Sequence, residues 1–196
     1  MRHELTLEGY AFRLRPITDG DAALVVELRS NPALNRYLHP SSNRVEDQLA
    51  WLASYYRRER DYYFVVERRT NRAPEGFISI YEIDASSLSG YWGRWVLKPG
   101  SLAAVESTWL IFRTAFELLA LNCAYSRTVA ENQAVVSFHD SYSSGIADRR
   151  LLPQYFQLGG RTLDGIEHRV DHACWVNISP RLERLAQMIA RKIPNT

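Results

Sequence analysis

The sequence predicts an α/β (α+β) fold, a mixed sheet with helices packed on its faces. Three observations predict it. Residues 62–67, 76–81 and 91–97 are aromatic or β-branched runs separated by turn-rich segments, the pattern of an antiparallel meander. Beyond them Val105, Trp109, Phe112, Phe116 and Leu119 recur at helical spacing. A further strand and a further helical stripe follow, so the chain alternates as a sheet covered by helices requires.

Taken in order, residues 12–15 alternate as a short strand that stops at Pro16. Thr18 and Asp21 form a capping-box signature, opening a helix through Leu24 and Leu28 to Asn31 and Pro32. Asn43 and Glu46 repeat that signature, and Val45, Leu49, Leu52 and Tyr56 give the next helix one apolar face. The meander then occupies 62–97, with turns at 70–75 and 85–90. Residues 98–101 end it. On the long helix beyond, Glu106, Arg113 and Glu117 share a face away from the apolar stripe. Residues 124–129 read as a strand. Asn132 opens a helix with apolar Val135, Phe138 and Tyr142, and Ser143, Ser144 and Gly145 stop it. The tail predicts a strand over 168–175 and an amphipathic helix over 180–193. That helix starts at Ser179 and Pro180 and carries Leu182, Leu185, Ile189 and Ile193. Its apolar stripe is expected to pack on its own domain, with a homodimer contact as the competing use. No pattern assigns 148–164. The expected order is β-α-α-β-β-β-α-β-α-β plus a terminal helix, in one domain spanning 1–196.

The composition suits such a domain. A chain of 196 residues, 46% hydrophobic and 23% charged, can bury roughly 70% of its unfolded surface. A net charge of +2 gives little support for nucleic-acid binding. The short basic runs at 57–60, 68–69 and 149–150 are either solvated surface or a site for an anionic cofactor or substrate phosphate. Cys123 and Cys174 lack CxxC spacing and sit among apolar neighbours, which predicts a reduced pair, and no metal is expected. The first residues, from Met1, lack an apolar signal core, and no stretch approaches the roughly 20 apolar residues of a membrane span. A cytoplasmic protein with no membrane partner is the expectation.

Two places carry chemistry. Trp95, Val96 and Leu97 end a strand, and the loop containing Gly100 opens a helix. Such a junction offers backbone N–H groups and a positive dipole end to a phosphate, although a single glycine there also suits a plain turn. Asn132 and His139 lie seven residues apart, about two helical turns, so both point to one side. The alternatives are a structural, hydrogen-bonded histidine and an Asn132 that only caps the helix.

Together, the element order, the strand end at Leu97, Lys98 and Pro99, the helix end at 115–119 and the run 132–142 resemble GNAT N-acetyltransferases. The resemblance extends from about Phe12 to Trp175. It implies helices on both faces of the sheet and acetyl-CoA bound where two central strands splay apart. Backbone groups around Trp95, Val96 and Leu97 would meet the pantetheine arm. Gly100, Ser101, Leu102, Ala103 and Ala104 would bind the pyrophosphate, and Asn132 the arm near the sulfur. The family's usual tyrosine acid falls on His139, with Tyr142 as substitute if His139 turns inward. The loop is shorter than the family's Q/R-x-x-G-x-G/A, with one glycine. Tyr91 stands where the family often has a glutamate, so the resemblance does not give the general base. Glu82 or Asp84, near the end of the third strand, could serve as one through water, the alternative being a carboxylate that is only solvated. Phe138 to Tyr142 is most similar to the branch that acetylates amino sugars, including nucleotide-linked ones. It is less similar to the branch acting on ribosomal-protein N-termini. A primary amine on a small molecule is thus the expected acceptor. A GNAT-like module that binds acyl-CoA without turnover is the reading from another class.

Overall fold

The computed structural model describes residues 2–143 and 145–193. Met1, Ser144 of the expected helix stop and residues 194–196 of the expected domain lie outside the described residues. In chain order the elements begin with strands β1 (Leu7–Glu8) and β2 (Phe12–Pro16) and helices α1 (Ala22–Ser30) and α2 (Val45–Tyr55). Strands β3 (Tyr62–Arg68), β4 (Pro74–Asp84) and β5 (Ser89–Leu97) follow, then helix α3 (Ala104–Arg113), strand β6 (Cys123–Val129) and helix α4 (Gln133–Ser143). Strands β7 (Asp148–Leu158) and β8 (Arg161–Asp171) and helix α5 (His172–Ala190) complete the chain. One eight-stranded sheet runs in the order β1-β2-β3-β4-β5-β6-β8-β7. All neighbours are antiparallel except β5 and β6, which the α3 crossover makes parallel.

The alternation of β3 shows why helices cover both faces. Phe64 and Val66 pack with Phe112, Trp175 and Ile178 on the side of α3 and α5. Tyr63 and Val65 pack with Leu24, Val25, Leu28 and Leu52 on the side of α1 and α2. Each large apolar side chain so buried contributes roughly 1.5–3 kcal/mol. The expected mixed sheet and the meander of β3, β4 and β5 are present. At α1 the Thr18 amide donates to the Asp21 carboxylate at 2.8 Å.

Five local readings need correction. The 148–164 segment without a pattern is most of a β7–β8 hairpin. It turns at Gly159 and Gly160, whose positive φ values (55° and 75°) suit a two-residue turn that side chains would strain. The strand expected to reach Trp175 ends at Asp171, whose carboxylate accepts the Cys174 N–H at 2.9 Å and caps α5. Pro180 therefore lies inside α5 rather than at its start, leaving the Val176 carbonyl without its helical donor on a residue that faces solvent. Asn43 does not cap α2, which starts from Arg44. Finally, Glu106 is not on an exposed face. It is buried and accepts N–H donation from Tyr10, Ala11 (3.1 Å) and Phe12 (3.2 Å), tying α3 to the start of β2. Burial pushes its carboxyl up despite those donors.

Leu182 and Ile193 pack into the main core, whereas Leu185 is exposed, so the last helix applies part of its stripe to its own sheet.

Candidate active site

The parallel pair is short. Ser89, Gly90 and Tyr91 of β5 register with Cys123, Ala124 and Tyr125 of β6, and the pairing stops there. A β-bulge explains the parting on the β5 side. Ser79 pairs with Gly93 and Phe77 with Val96, so β5 carries one extra residue, and Arg94 within it has φ +45°. β6 continues instead on β8, as far as Val129 opposite Gly165. The divergence opens a cavity of about 150 Å³ lined by Trp92, Trp95, Thr128, Asn132, His139 and Phe156, among others. Asn132 and His139, predicted from their spacing to share a side, both line it.

At the end of β5 the chain turns into α3. The Lys98 amide is held by the Glu75 carbonyl at 2.8 Å, and the Ser101 amide by Lys98 O at 3.0 Å. Ser101 Oγ accepts the Ala103 N–H at 3.2 Å, but no side chain caps α3. The first-turn amides after Ala103 therefore lack intrahelical acceptors, and the dipole's positive end is open. Gly100 has φ +77°, and nothing lies within 4 Å of where its Cβ would stand. Gly100 and Leu102 are exposed, Ser101 and Ala104 half-buried and Ala103 buried. The junction fits an anionic group held by backbone donors.

His139 is buried, with its Nδ1 2.6 Å from the Tyr142 hydroxyl and its ring against Trp92 and His168 at 5.1 Å. Burial first, and the adjacent His168, lower its pKa to about 3, so the ring is neutral near pH 7. It can present an N–H to the cavity but holds no imidazolium proton there. Tyr142 is wholly interior, its phenol held well above its ordinary value by burial, and it does not line the cavity. The expected bases are elsewhere. A second irregularity, between Tyr81 and Asp84, turns Glu82 out to solvent with φ +51°. Asp84 accepts from Ser86 N, Ser86 Oγ and Ser87 Oγ at 2.7–2.9 Å, which holds its carboxyl down to about 2 as a turn-former.

On the other side of Arg94 lies a larger cavity of about 550 Å³, between α1, α2 and the sheet. Arg29, Arg58 and Arg94 line it with Trp51 and Tyr81, and among the described residues Asp47 is its one carboxylate. Arg94 lines both cavities, grips the buried Asp61 with two hydrogen bonds of 2.6 and 3.0 Å, and lies 4.4 Å over the Tyr81 ring. Of the basic run at 57–60, Arg58 alone reaches this wall, where it also pairs with Asp61 at 3.6 Å. Sequence reasoning missed Arg94 and Asp61. The available signal was Gly93, a lone glycine inside a strand pattern, which marks bulges. Among the described residues no cluster of His, Cys, Asp and Glu could hold a metal, and no helix is long and apolar enough to cross a membrane.

Comparison with known proteins bears on this arrangement. Residues 12–141 match the profile described as acetyltransferase (GNAT) domain. A search of curated proteins gives no significant match. Among solved structures, apo FdhC, described as a nucleotide-linked sugar GNAT, superposes with a TM-score of 0.77 at 24% identity. The alignment covers 94% of this chain and 99% of that one. A putative acetyltransferase from T. thermophilus gives 0.77 at 21% identity, covering 94% and 98%. The N152L mutant of spermidine N-acetyltransferase SpeG from Vibrio cholerae gives 0.73 at 18%, covering 85% and 97%.

Proposed function

The chain belongs to the GNAT family of N-acetyltransferases, and from that premise we propose that it acetylates the primary amine of an anionic acceptor, a nucleotide-linked amino sugar, with acetyl-CoA as donor. The observation that carries the reading is the wall of the 550 Å³ cavity, where Arg29, Arg58 and Arg94 face Asp47 alone. Counting the buried Asp61 beneath two of them, the balance stays positive. Such a wall repels a polyamine and attracts phosphates, through Arg forks and a field focused in a concavity. FdhC, a nucleotide-linked sugar GNAT, agrees with this choice, and SpeG, a spermidine N-acetyltransferase, does not share it.

When bound, acetyl-CoA supplies the activated acyl group as a thioester. The residues that would hold it are the α3 junction, Gly100 to Ala104, through backbone donors, and the open border of β5 at Trp95, Val96 and Leu97. Asn132 would add an amide. Trp92 and Trp95 line the cleft, and an acyl arm packed against them would displace water there and strengthen the hydrogen bonds inside it. His139, itself buried, offers a neutral N–H at the cleft wall, a preorganised donor for charge that develops as the bond to sulfur breaks. Arg94 stands between acceptor cavity and cleft, where it would orient the acceptor. Glu82 is not assigned a role, because it faces solvent.

The test is kcat/KM for a panel of nucleotide-linked amino sugars against N-terminal peptides and polyamines, read by thiol release. At least one nucleotide-linked sugar should exceed every peptide and polyamine. Faster turnover of any peptide or polyamine than of every sugar sinks the acceptor.

A further inference from the structure

A third concavity, of about 650 Å³, lies between the 35–43 segment joining α1 to α2 and the β7–β8 turn. It shares Arg29 and residues 39–42 with the acceptor cavity, so this trough adjoins that cavity along their common wall. Its floor is the small apolar cluster of Leu158 and Leu163, with Tyr37 packed against it. Arg29, Arg36 and Arg161 line it, and among the described residues no Asp or Glu does. Arg161 is neutralised by Glu131 at 2.8 Å. The other two are not. Arg29 donates to neutral oxygens, Ser41 Oγ at 3.1 Å and His39 O at 2.9 Å, and Arg36 lies 5.1 Å over the Tyr37 ring. Among the described residues, neither faces a carboxylate within ion-pair distance, whereas Arg58 and Arg94 next door share Asp61.

Two unneutralised guanidiniums turned into one groove present paired N–H donors that match phosphate oxygens. We propose that this trough is a subsite for the phosphates of a nucleoside diphosphate, from which the amino sugar extends past Arg29 and Arg94 toward the cleft. The inference rests on the anionic-acceptor reading above and adds to it where the phosphates lie and which arginines hold them. Tyr37 lines both the trough and the acyl cleft, its hydroxyl fixed by donation to Glu131 O at 3.0 Å. Coenzyme A carries the same phosphoryl chemistry, so the tests must separate the two sources.

UDP and dTDP are the probes, by calorimetry and as inhibitors of the wild-type enzyme. Either should bind, and should compete with a nucleotide-linked acceptor but not with acetyl-CoA. Arg36→Ala and Arg29→Gln should each weaken that binding about tenfold, the effect expected for charged hydrogen bonds, while affinity for coenzyme A holds. Arg57→Ala removes an exposed arginine outside the trough and controls for net charge. Three outcomes overturn the proposal: no binding of either diphosphate, coenzyme A affinity falling in place of diphosphate affinity, or Arg57→Ala matching the trough variants. Arginine-dependent diphosphate binding without turnover of any nucleotide-linked amino sugar upholds the subsite and overturns the acceptor instead.

Discussion

Burial holds the His139 ring neutral across the range where an exposed imidazole titrates, and two expectations follow at this one residue. His139→Phe should lower kcat by about 10²-fold or more, the usual loss for a preorganised donor, and leave acetyl-CoA affinity nearly intact. The pH profile of the variant should keep the wild-type shape at a lower level, since the ring does not change charge between pH 5 and 8. A lost acidic limb in the variant would show that His139 titrates in turnover. The second expectation is linkage. The folded pKa of about 3 lies below the unfolded 6.5, so the unfolded chain binds a proton that the native state refuses. This contribution is complete above pH 6.5 and is lost as pH falls toward 3, at about 1.4 kcal/mol per unit. Urea unfolding of wild type and His139→Phe between pH 7 and 4 should therefore show a shallower decline in the variant. Spacing placed Asn132 and His139 on one side of a helix, and both do line the cleft. Spacing carries no information on burial, and so none on the charge state of the ring or on the absence of Tyr142 from the wall.

At the level of elements, the junction from β5 to α3 depends on one backbone conformation and one uncapped helix start. Gly100→Glu should abolish the rise in melting temperature that acetyl-CoA and coenzyme A give by binding the native state. It would put a negative charge beside the amides and strain a φ of +77°. Gly100→Ala separates the two causes, for it strains the backbone without adding charge. An undiminished thermal shift in Gly100→Glu would exclude this loop from the donor site. Helix α5 is the second element. Leu182 is fully buried in the main core, so Leu182→Ala should cost about 2–5 kcal/mol in denaturant unfolding. A smaller loss with a drop in molar mass would assign the stripe to a subunit contact. The errors in reading α5 have a local cause. The aromatic and β-branched side chains of 168–175 match a strand, and the capping carboxylate of Asp171 looks like any polar end. Ser179 and Pro180 then imitate a start inside a helix that tertiary packing already holds. For β7 and β8 a usable signal was present, Gly159 followed by Gly160, but Pro153 and a bulge interrupt the alternation around it.

For the whole molecule, long-range placement is what the sequence could not supply. The meander, α3, β6 and α4 were legible because periodicity is local. That the chain segment at 35–43 faces the β7–β8 turn is a fact of assembly between residues more than a hundred positions apart. So is the meeting of Arg29, Arg58 and Arg94 on one wall, drawn from α1, the loop after α2 and β5. The basic run at 57–60 was visible as charge, yet only the fold selects Arg58 from it.

The open border of β5 has a further consequence, for the newly made chain. The first five strands are complete in sequence before β6 is synthesised, and until then β5 is a sheet edge, able to recruit a strand from any neighbouring molecule. Most proteins later close such an edge, but here the stretch at 92–97 stays unpaired with β6 in the finished fold. The bulge at Arg94 bends it, and the indoles of Trp92 and Trp95 stand along it. A flat intruding strand would meet an irregular register at the bulge. The features proposed to admit a slender acyl arm are the same ones that would turn away another polypeptide.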